Sequence, residues 1–386
     1  MTSATPPARP IPVPRPRRSL TDDQRLAWLR LIRSENVGPV TFREMLNHYG
    51  GAEQALEALP ELSRRGGRGR PIRICPADEA ERELQRADRA GARLTALDEH
   101  GYPPLLAVIE APPPLIYLRG RAELLDRPII AMVGARDASA AGRKITHQIG
   151  AALGAGGVVI CSGLARGIDT AAHEASLATG TVAVLAGGID SVYPPENTAL
   201  HEAIARDGVL IAENAPGLEP RGRDFPRRNR IISGMALAVL VVEAAKRSGS
   251  RITADFAKEQ GRMVFAVPGN PLDPRAGGTN QLIKEGARLV TEAGDLVAGL
   301  GPALAGYRPP PASPPNSVAE RQSAPMAVTE TDRDCIIEAL GPAPIGLDDL
   351  VRMTGVGARE VRVVLIELDL AGRIERLGGQ RVALKN

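Results

Sequence analysis

The chain has 386 residues, of which 43% are hydrophobic and 24% are charged, and its formal net charge is +3. That is enough chain for a sizeable core and for two or three domains. The cysteines, Cys75, Cys161 and Cys335, are far apart, which argues for a reducing compartment and against a disulfide framework or a zinc site. No apolar run approaches the roughly 20 residues that cross a bilayer, so we expect a cytoplasmic protein with no membrane partner.

The N-terminal part of the chain divides into an arm and a helical segment. Residues 1–19 are rich in proline and arginine and contain no acid, which predicts a disordered basic arm. Residues 20–66 have apolar residues at helical spacing, and Thr21 with Gln24 has the spacing of a capping box. The turn at residues 36–40 fits a SAM-like or helix–hairpin–helix-like domain, and it also fits an ordinary turn between two helices.

The central segment, residues 72–300, alternates between apolar runs and helix-compatible stretches. This alternation predicts right-handed βαβ units and a parallel sheet, so the fold class is α/β. A short strand at Leu115–Leu118, bracketed by prolines, is expected at the edge of the sheet or as an extension of it. The predicted parallel strands are Ile129–Val133, Val158–Cys161, Val182–Ala186, Val209–Ala212, Leu237–Val242, Met263–Val267 and, more weakly, Arg288–Val290.

Positive charge is concentrated in one stretch of this core, residues 221–251. It contains eight Lys or Arg residues against two acids, whereas the whole chain has an excess of only three. An apolar, β-branched run in its middle predicts a strand buried on both faces, with cationic loops at its ends. Ligands of such sheets bind outside the carboxyl ends of the strands. We therefore expect an anion site here, with Phe225 available to stack on a base.

Patterns of three enzyme classes are absent from these strand ends. The Walker pattern, the dinucleotide-binding G-x-G-x-x-G and the serine nucleophile elbow do not occur there. No pair of histidines has the spacing of metal ligands. Asp169, Asp190, Glu213 and Glu243 lie near strand ends, where capping a helix or pairing with arginine explains them better than acid–base catalysis. We expect no cofactor, no metal and no enzymatic activity.

Six ordered blocks of sequence resemble the DNA-processing protein A family (DprA, also called Smf). Together they cover most of the chain from about residue 102 to residue 290. They are VGAR at 133–136, SGLARGIDTAAH at 162–173, VLAGGIDSVYPPEN at 184–197, FPRRNRIISG at 225–234, SGSRITA at 248–254 and VFAVPGN at 264–270.

The resemblance implies an extended Rossmann-like core that binds single-stranded DNA. It further implies a homodimer that protects incoming strands in natural transformation and helps to load RecA. By the position of the motifs, the implied DNA-binding residues are Gly134, Arg136, Ser162, Gly163, Arg166, Gly167, Phe225, Arg227, Asn229, Arg230, Ser248, Gly249, Ser250, Arg251 and Thr253.

The C-terminal part comprises a proline-rich linker, residues 301–328, and a winged-helix pattern at 329–386. Three short helices at 331–340, 347–353 and 358–370 precede two strands of a wing. Such a domain usually reads duplex DNA. Here, however, eight Lys or Arg residues face ten acids, which favours a protein-contact or regulatory module over a strong DNA reader.

Two rival functions remain open from the sequence. One is a nucleotide-processing enzyme resembling the phosphoribohydrolases, which use a similar scaffold with a P-G-G-x-G-T-x-x-E run. The corresponding run here, from Gly277 to Gln281, lacks the catalytic acid. The other is a structural adaptor that acts through its terminal domains, for which charge reversal at Arg227 and Arg230 would leave DNA affinity intact.

Overall fold

The computed structural model of the protein describes residues 19–307 and 328–385. The predicted basic arm, apart from its last residue, and most of the predicted linker lie outside the described residues. The helices are α1 Asp22–Arg33, α2 Pro39–Tyr49, α3 Ala52–Arg65, α4 Ala77–Arg89, α5 Pro104–Ala107, α6 Ala140–Ala155, α7 Ile168–Ser176, α8 Thr198–Asp207, α9 Asp224–Met235, α10 Gly249–Glu259, α11 Gly277–Lys284, α12 Ala293–Leu300, α13 Pro302–Ala305, α14 Glu330–Ala339, α15 Leu347–Thr354 and α16 Ala358–Leu370.

The strands form two sheets. They are β1 Arg93–Ala96, β2 Leu115–Gly120, β3 Ile129–Val133, β4 Val159–Ser162, β5 Thr181–Leu185, β6 Val209–Ala212, β7 Ala238–Val241, β8 Met263–Ala266, β9 Arg288–Leu289, β10 Ile345–Gly346, β11 Ile374–Leu377 and β12 Arg381–Leu384. The large sheet has the order β1-β2-β6-β5-β4-β3-β7-β8-β9, and the small one β10-β12-β11.

The large sheet confirms the predicted α/β core. All neighbours from β6 to β9 in the sheet order are parallel. The predicted strand β2 extends this sheet in the antiparallel direction and pairs with β6 on one side and with β1 on the other. Strand β3 lies between β4 and β7, so the strand order reverses there. A crevice at the carboxyl ends of these strands is the place where such sheets bind ligands.

Both faces of the central strands are covered. Ala131 and Val133 of β3 belong to one hydrophobic cluster, and Ile130 and Met132 belong to the cluster on the other face. Successive side chains of a strand point to opposite faces, and here both faces carry helices. This explains why the strands are recognisable as short, uninterrupted apolar runs in the sequence.

The N-terminal helices are attached to the core by buried ionic contacts. The predicted capping box is present, because the Gln24 amide donates to Thr21 Oγ1 at 3.2 Å and the Thr21 amide donates to Gln24 Oε1 at 3.0 Å. At the other end of α1, Arg33 pairs with Glu83 of α4 at 2.8 Å, and Tyr117 of β2 donates its hydroxyl to the same carboxylate at 2.6 Å. The turn at residues 36–40 joins α1 to α2.

The predicted winged-helix domain is present, and its third helix is not free. One face of α16 belongs to the hydrophobic core of the winged-helix domain itself. Ile366 and Leu370 instead belong to the large cluster that contains the N-terminal helices, and Asn36 Nδ2 donates to the Leu370 carbonyl at 2.9 Å. The exact limits of the domains stay a prediction. Among the described residues, no helix has the length and apolar character that a membrane span requires.

Candidate nucleic-acid interface

The cationic stretch of the core is helical where the sequence predicted loops. Phe225 and Arg230 both lie on α9, and the residues from Ser250 to Thr253 form the first turns of α10. Consecutive side chains of a helix are rotated by about 100°. Arg228 of α9 therefore points away from Arg227 and Arg230, and the three arginines do not form one positive surface.

A cavity of about 740 Å³ lies at the carboxyl ends of β3 and β7, between the beginnings of α9 and α10. We call it the strand-end pocket. The loop after β3 forms one wall and the start of α10 forms another. Of the predicted residues, those that line it are Gly134, Arg136, Phe225, Asn229, Ser248, Gly249, Ser250 and Thr253.

Two glycines bring the loops after β3 and β4 into close contact. A Cβ at Gly134 would lie 2.5 Å from Cγ1 of Ile168, and one at Gly167 would lie 2.3 Å from the carbonyl oxygen of Ala135. Gly167 also has a φ of +79°, which favours glycine. The Ile168 amide donates to the Ala135 carbonyl at 3.2 Å. The backbone of the VGAR segment is therefore held directly against the start of α7.

An aromatic and cationic group forms the open side of the strand-end pocket. The guanidinium carbon of Arg136 lies 5.1 Å from the ring centroid of Phe225, within cation–π distance. The ring of Tyr193 lies 5.3 Å from that of Phe225, and Tyr193 is 46% exposed. Arg136 is exposed as well. The group offers a flat apolar surface next to a free positive charge.

A buried arginine lies beneath this surface. Arg228 donates to the carbonyl oxygens of Gly163, at 2.8 Å, and of Val184, and is only 7% exposed. A Cβ at Gly163 would lie 2.6 Å from Nη2 of Arg228, so only glycine leaves room for the guanidinium group. Burial lowers the pKa of Arg228 to about 10, which keeps the group cationic at neutral pH. Arg228 thus connects the loop after β4 to the C-terminal part of β5.

Asp169 and His173 of α7 accept hydrogen bonds from backbone amides of the loop after β4. The Asp169 carboxylate accepts from the Gly163 amide at 3.1 Å and from the Ala165 amide at 3.4 Å, and burial raises its pKa. Nε2 of His173 accepts from the Leu164 amide at 3.3 Å. Burial, with a further contribution from Arg228, lowers the pKa of His173 to about 3, so the imidazole is neutral. Both side chains are engaged in shaping the loop.

Comparison with known proteins decides the family. The family described as DNA recombination-mediator protein A matches residues 93–301, a DprA-like N-terminal HHH domain matches residues 22–86, and a DprA winged helix domain matches residues 308–380. Protein Smf of Synechocystis sp. is 31% identical over 94% of this chain and 99% of its own length. The chain belongs to the DNA-processing protein A family. This confirms the resemblance that the six motifs indicated.

Solved DprA structures share this fold. The X-ray structure of DprA from Streptococcus pneumoniae has a TM-score of 0.54 and 40% sequence identity, over 58% of this chain and 77% of the other. DprA from Helicobacter pylori, whose structure is described for its single-stranded DNA binding mode, has a TM-score of 0.50 and 27% identity, over 56% of this chain and 98% of the other. The phosphoribohydrolase-like alternative gains no support from these matches.

Several predicted residues of this DprA-family chain lie away from the pocket wall. Ser162 is fully buried, and its hydroxyl donates to the Met132 carbonyl at 2.6 Å. Gly163 and Gly167 act through the loop contacts described above. Arg166 is exposed on the loop after β4.

The remaining predicted arginines are committed to carboxylates to different degrees. Arg230 pairs with Glu213 at 2.5 Å and donates to the Ala111 carbonyl at 2.9 Å. Arg251 pairs with Glu285 at 3.2 Å. Arg227 is 57% exposed and lies 3.9 Å from Glu213. The spacing of α9 places the side chains of Arg227 and Arg230 on the side of Glu213.

The residues predicted from the sequence did not include three aromatic or basic residues of the pocket wall, Tyr193, Arg228 and Arg275. Tyr193 follows the double glycine after β5, in the YPPEN segment, so its position after a strand was an available signal. Arg275 had none, because it comes from the turn before α11 and is paired with Asp273 at 3.0 Å. Exposed cations from three segments surround the pocket: Arg166, Arg221, Arg223, Arg227, Lys246 and Arg247.

Proposed function

We propose that this protein binds single-stranded DNA in the strand-end pocket. The observation that carries the proposal is the convergence of Tyr193, Phe225 and Arg136 on the backbone of the VGAR loop and the start of α10. Bases stack on aromatic rings whatever their sequence, and the first amides of a helix attract phosphate. The H. pylori relative, whose structure is described for its single-stranded DNA binding mode, supports single-stranded DNA as the ligand.

The pocket suits an unpaired strand better than a duplex. Stacking on Phe225 and Tyr193 needs a base whose face is free, and in a duplex the neighbouring bases cover that face. Reading a duplex usually requires an element that enters the major groove, whereas this surface is a concave end of a sheet. We therefore expect little sequence preference and a strong dependence of affinity on salt.

We further propose that the protein protects incoming strands in natural transformation and passes them to RecA, acting as a homodimer without catalytic activity. These points rest on the family. The engagement of Asp169 and His173 in loop contacts supports the absence of a catalytic role for them. Co-elution with RecA in the presence of a single strand, and the molar mass in solution, test the two partnerships.

The function is tested by equilibrium binding of a single strand and of the matching duplex across a series of salt concentrations. We expect preference for the single strand. Arg136→Ala and Phe225→Ala should each lose about 1–3 kcal/mol of binding free energy, the scale of a charged contact or one stacked base. Arg206→Ala serves as a matched control, because Arg206 is 70% exposed at the far end of α8. Equal losses in all three variants would contradict the proposal.

A further inference from the structure

A second cationic cavity lies between the winged-helix domain and the N-terminal helices. Its volume is about 450 Å³. We call it the interdomain cleft. Two carboxylates, Glu44 and Glu110, line it. Five arginines from four elements, α2, α16, β11 and β12, also line it: Arg43, Arg359, Arg362, Arg376 and Arg381.

Both carboxylates of the cleft already have partners. Glu44 pairs with Arg376 at 2.9 Å, and Arg376 also pairs with Asp369 at 2.8 Å. Glu110 accepts from the amides of Gly379 and Gln380 at the tip of the wing, at 3.1 Å and 2.7 Å. Glu110 keeps its charge, because its partners are neutral amides, but two carboxylates in the cleft face five arginines.

Three of the arginines lack an ion-pair partner among the described residues. Within residues 19–307 and 328–385, Arg359, Arg362 and Arg381 form no ion pair with an acid. Arg43 donates to the backbone carbonyl of Glu110 at 2.7 Å. Burial lowers the pKa of Arg43, and repulsion from Arg376 and Arg362 acts in the same direction against the pull of the two glutamates. An anion in the cleft would relieve this repulsion.

The winged-helix domain is not arranged to read a duplex. The face of α16 that carries Ile366 and Leu370 packs on the N-terminal helices, and the wing amides are bonded to Glu110. Helix α16 cannot enter a major groove in this arrangement. The cations on the two sides of the cleft remain available to a flexible polyanion.

The geometry points to a second contact for the same strand: we propose that the interdomain cleft binds the phosphodiester backbone of single-stranded DNA that extends from the strand-end pocket. Guanidinium groups match phosphate oxygens in bidentate geometry. The loop after α5 contacts the wing and α9, the helix whose first residues line the pocket: Glu110 accepts from the wing amides, and the next residue, Ala111, accepts from Arg230 of α9 at 2.9 Å. A strand held in the pocket supplies phosphates at high local concentration, which favours nucleic acid over an acidic peptide.

This inference rests on the proposed function, so its test uses two strand lengths. One oligonucleotide has about 6 nucleotides, close to the lower limit for one single-strand site, and the other is several times longer. The test variant is Arg359→Ala with Arg362→Ala in the full chain. The control is Arg64→Ala with Arg352→Ala, two arginines outside the cleft that are 72% and 76% exposed. Thermal unfolding checks that both double variants fold like the wild type.

We expect the test variant to bind the long strand about tenfold more weakly. The slope of log K against the logarithm of the salt concentration should be smaller in magnitude by about 1.4, which is about 0.7 for each of two lost phosphate contacts. Binding of the short strand should not change. An equal loss with both strands, or no loss with either, overturns the cleft proposal. Failure of the wild type to bind the short strand would instead overturn the strand-end pocket, so the two proposals fail separately.

Discussion

The strand-end pocket and the interdomain cleft are both cationic, but they are built in different ways. In the pocket, the sheet determines where each group lies, and the buried Arg228 and Asp169 bond to backbone atoms of the surrounding loops. In the cleft, side chains from two separately folded parts of the chain face each other. Whether a cation can contact DNA therefore depends more on its position in the fold than on the number of charges near it in the sequence.

This difference predicts different mechanical behaviour. The pocket loops belong to the central strands, and their opening requires disruption of the core. The contact across the cleft consists mainly of polar bonds, and its buried apolar residues from the winged-helix domain are Ile366 and Leu370. Regions with few buried apolar contacts open at low free energy, without global unfolding. We therefore expect the pocket to be rigid and the cleft to be adjustable.

The largest effect is expected from Arg228→Ala, beneath the pocket. The substitution leaves the carbonyls of Gly163 and Val184 without their donor and the buried Asp169 without its nearby positive charge. Removing one partner of a buried charge interaction should lower the free energy of unfolding by about 3 kcal/mol. Urea denaturation measures this change. Arg227→Ala, one residue away and exposed, should stay within about 0.5 kcal/mol of wild type, and similar values for both variants would refute the assignment.

A smaller effect is expected from pH, through His173. Its folded pKa of about 3 lies below its ordinary value, so between these pKa values the unfolded chain binds a proton that the folded protein does not. Stability contributed by the neutral imidazole is therefore present above the ordinary pKa and is lost as the pH falls. From about pH 7 to about pH 5 this amounts to about 1–2 kcal/mol.

The control for this prediction is His173→Gln, which can still accept from the Leu164 amide. Asp169, whose raised pKa contributes the opposite slope, is present in both proteins. The difference between their urea denaturation curves at the two pH values therefore isolates His173. Parallel pH dependences of wild type and variant would show that His173 is not the group that titrates.

The smallest effect is expected from Glu110→Ala, at the edge of the cleft. The amides of Gly379 and Gln380 lose their acceptor, but water can replace it, so stability should fall by only about 0.5–1 kcal/mol. Hydrogen exchange at these two amides should become faster, while exchange in β3 should not change. The matched control is Glu123→Ala, because Glu123 is an exposed glutamate of the α/β domain. Unchanged exchange at the wing tip would mean that the wing is not held in this position.

Local patterns in the sequence predicted most of the fold. The strand Ile129–Val133 was predicted to the residue, and the capping box at Thr21 was identified from its spacing. The six motifs also led to the correct family. The capping box depends on residues that are close in the chain, and a buried strand is an uninterrupted apolar run. Both can therefore be recognised in the sequence. Strand β1 has the sequence RLTA, with a single large apolar residue, so it leaves a weaker signal and was not predicted.

Only the tertiary structure decided which arginines are available to contact DNA. Arg227, Arg228 and Arg230 are almost adjacent, yet one is exposed, one is buried beneath a loop and one is paired with Glu213. In the winged-helix domain, a net negative count of charge concealed the arginines that α16 and the wing direct into the cleft. The sequence by itself determined the sheet, the three kinds of domain and the family. The direction of each cation depended on the helix that this stretch forms in the folded protein and on partners far away in the chain, and local patterns do not encode such partners.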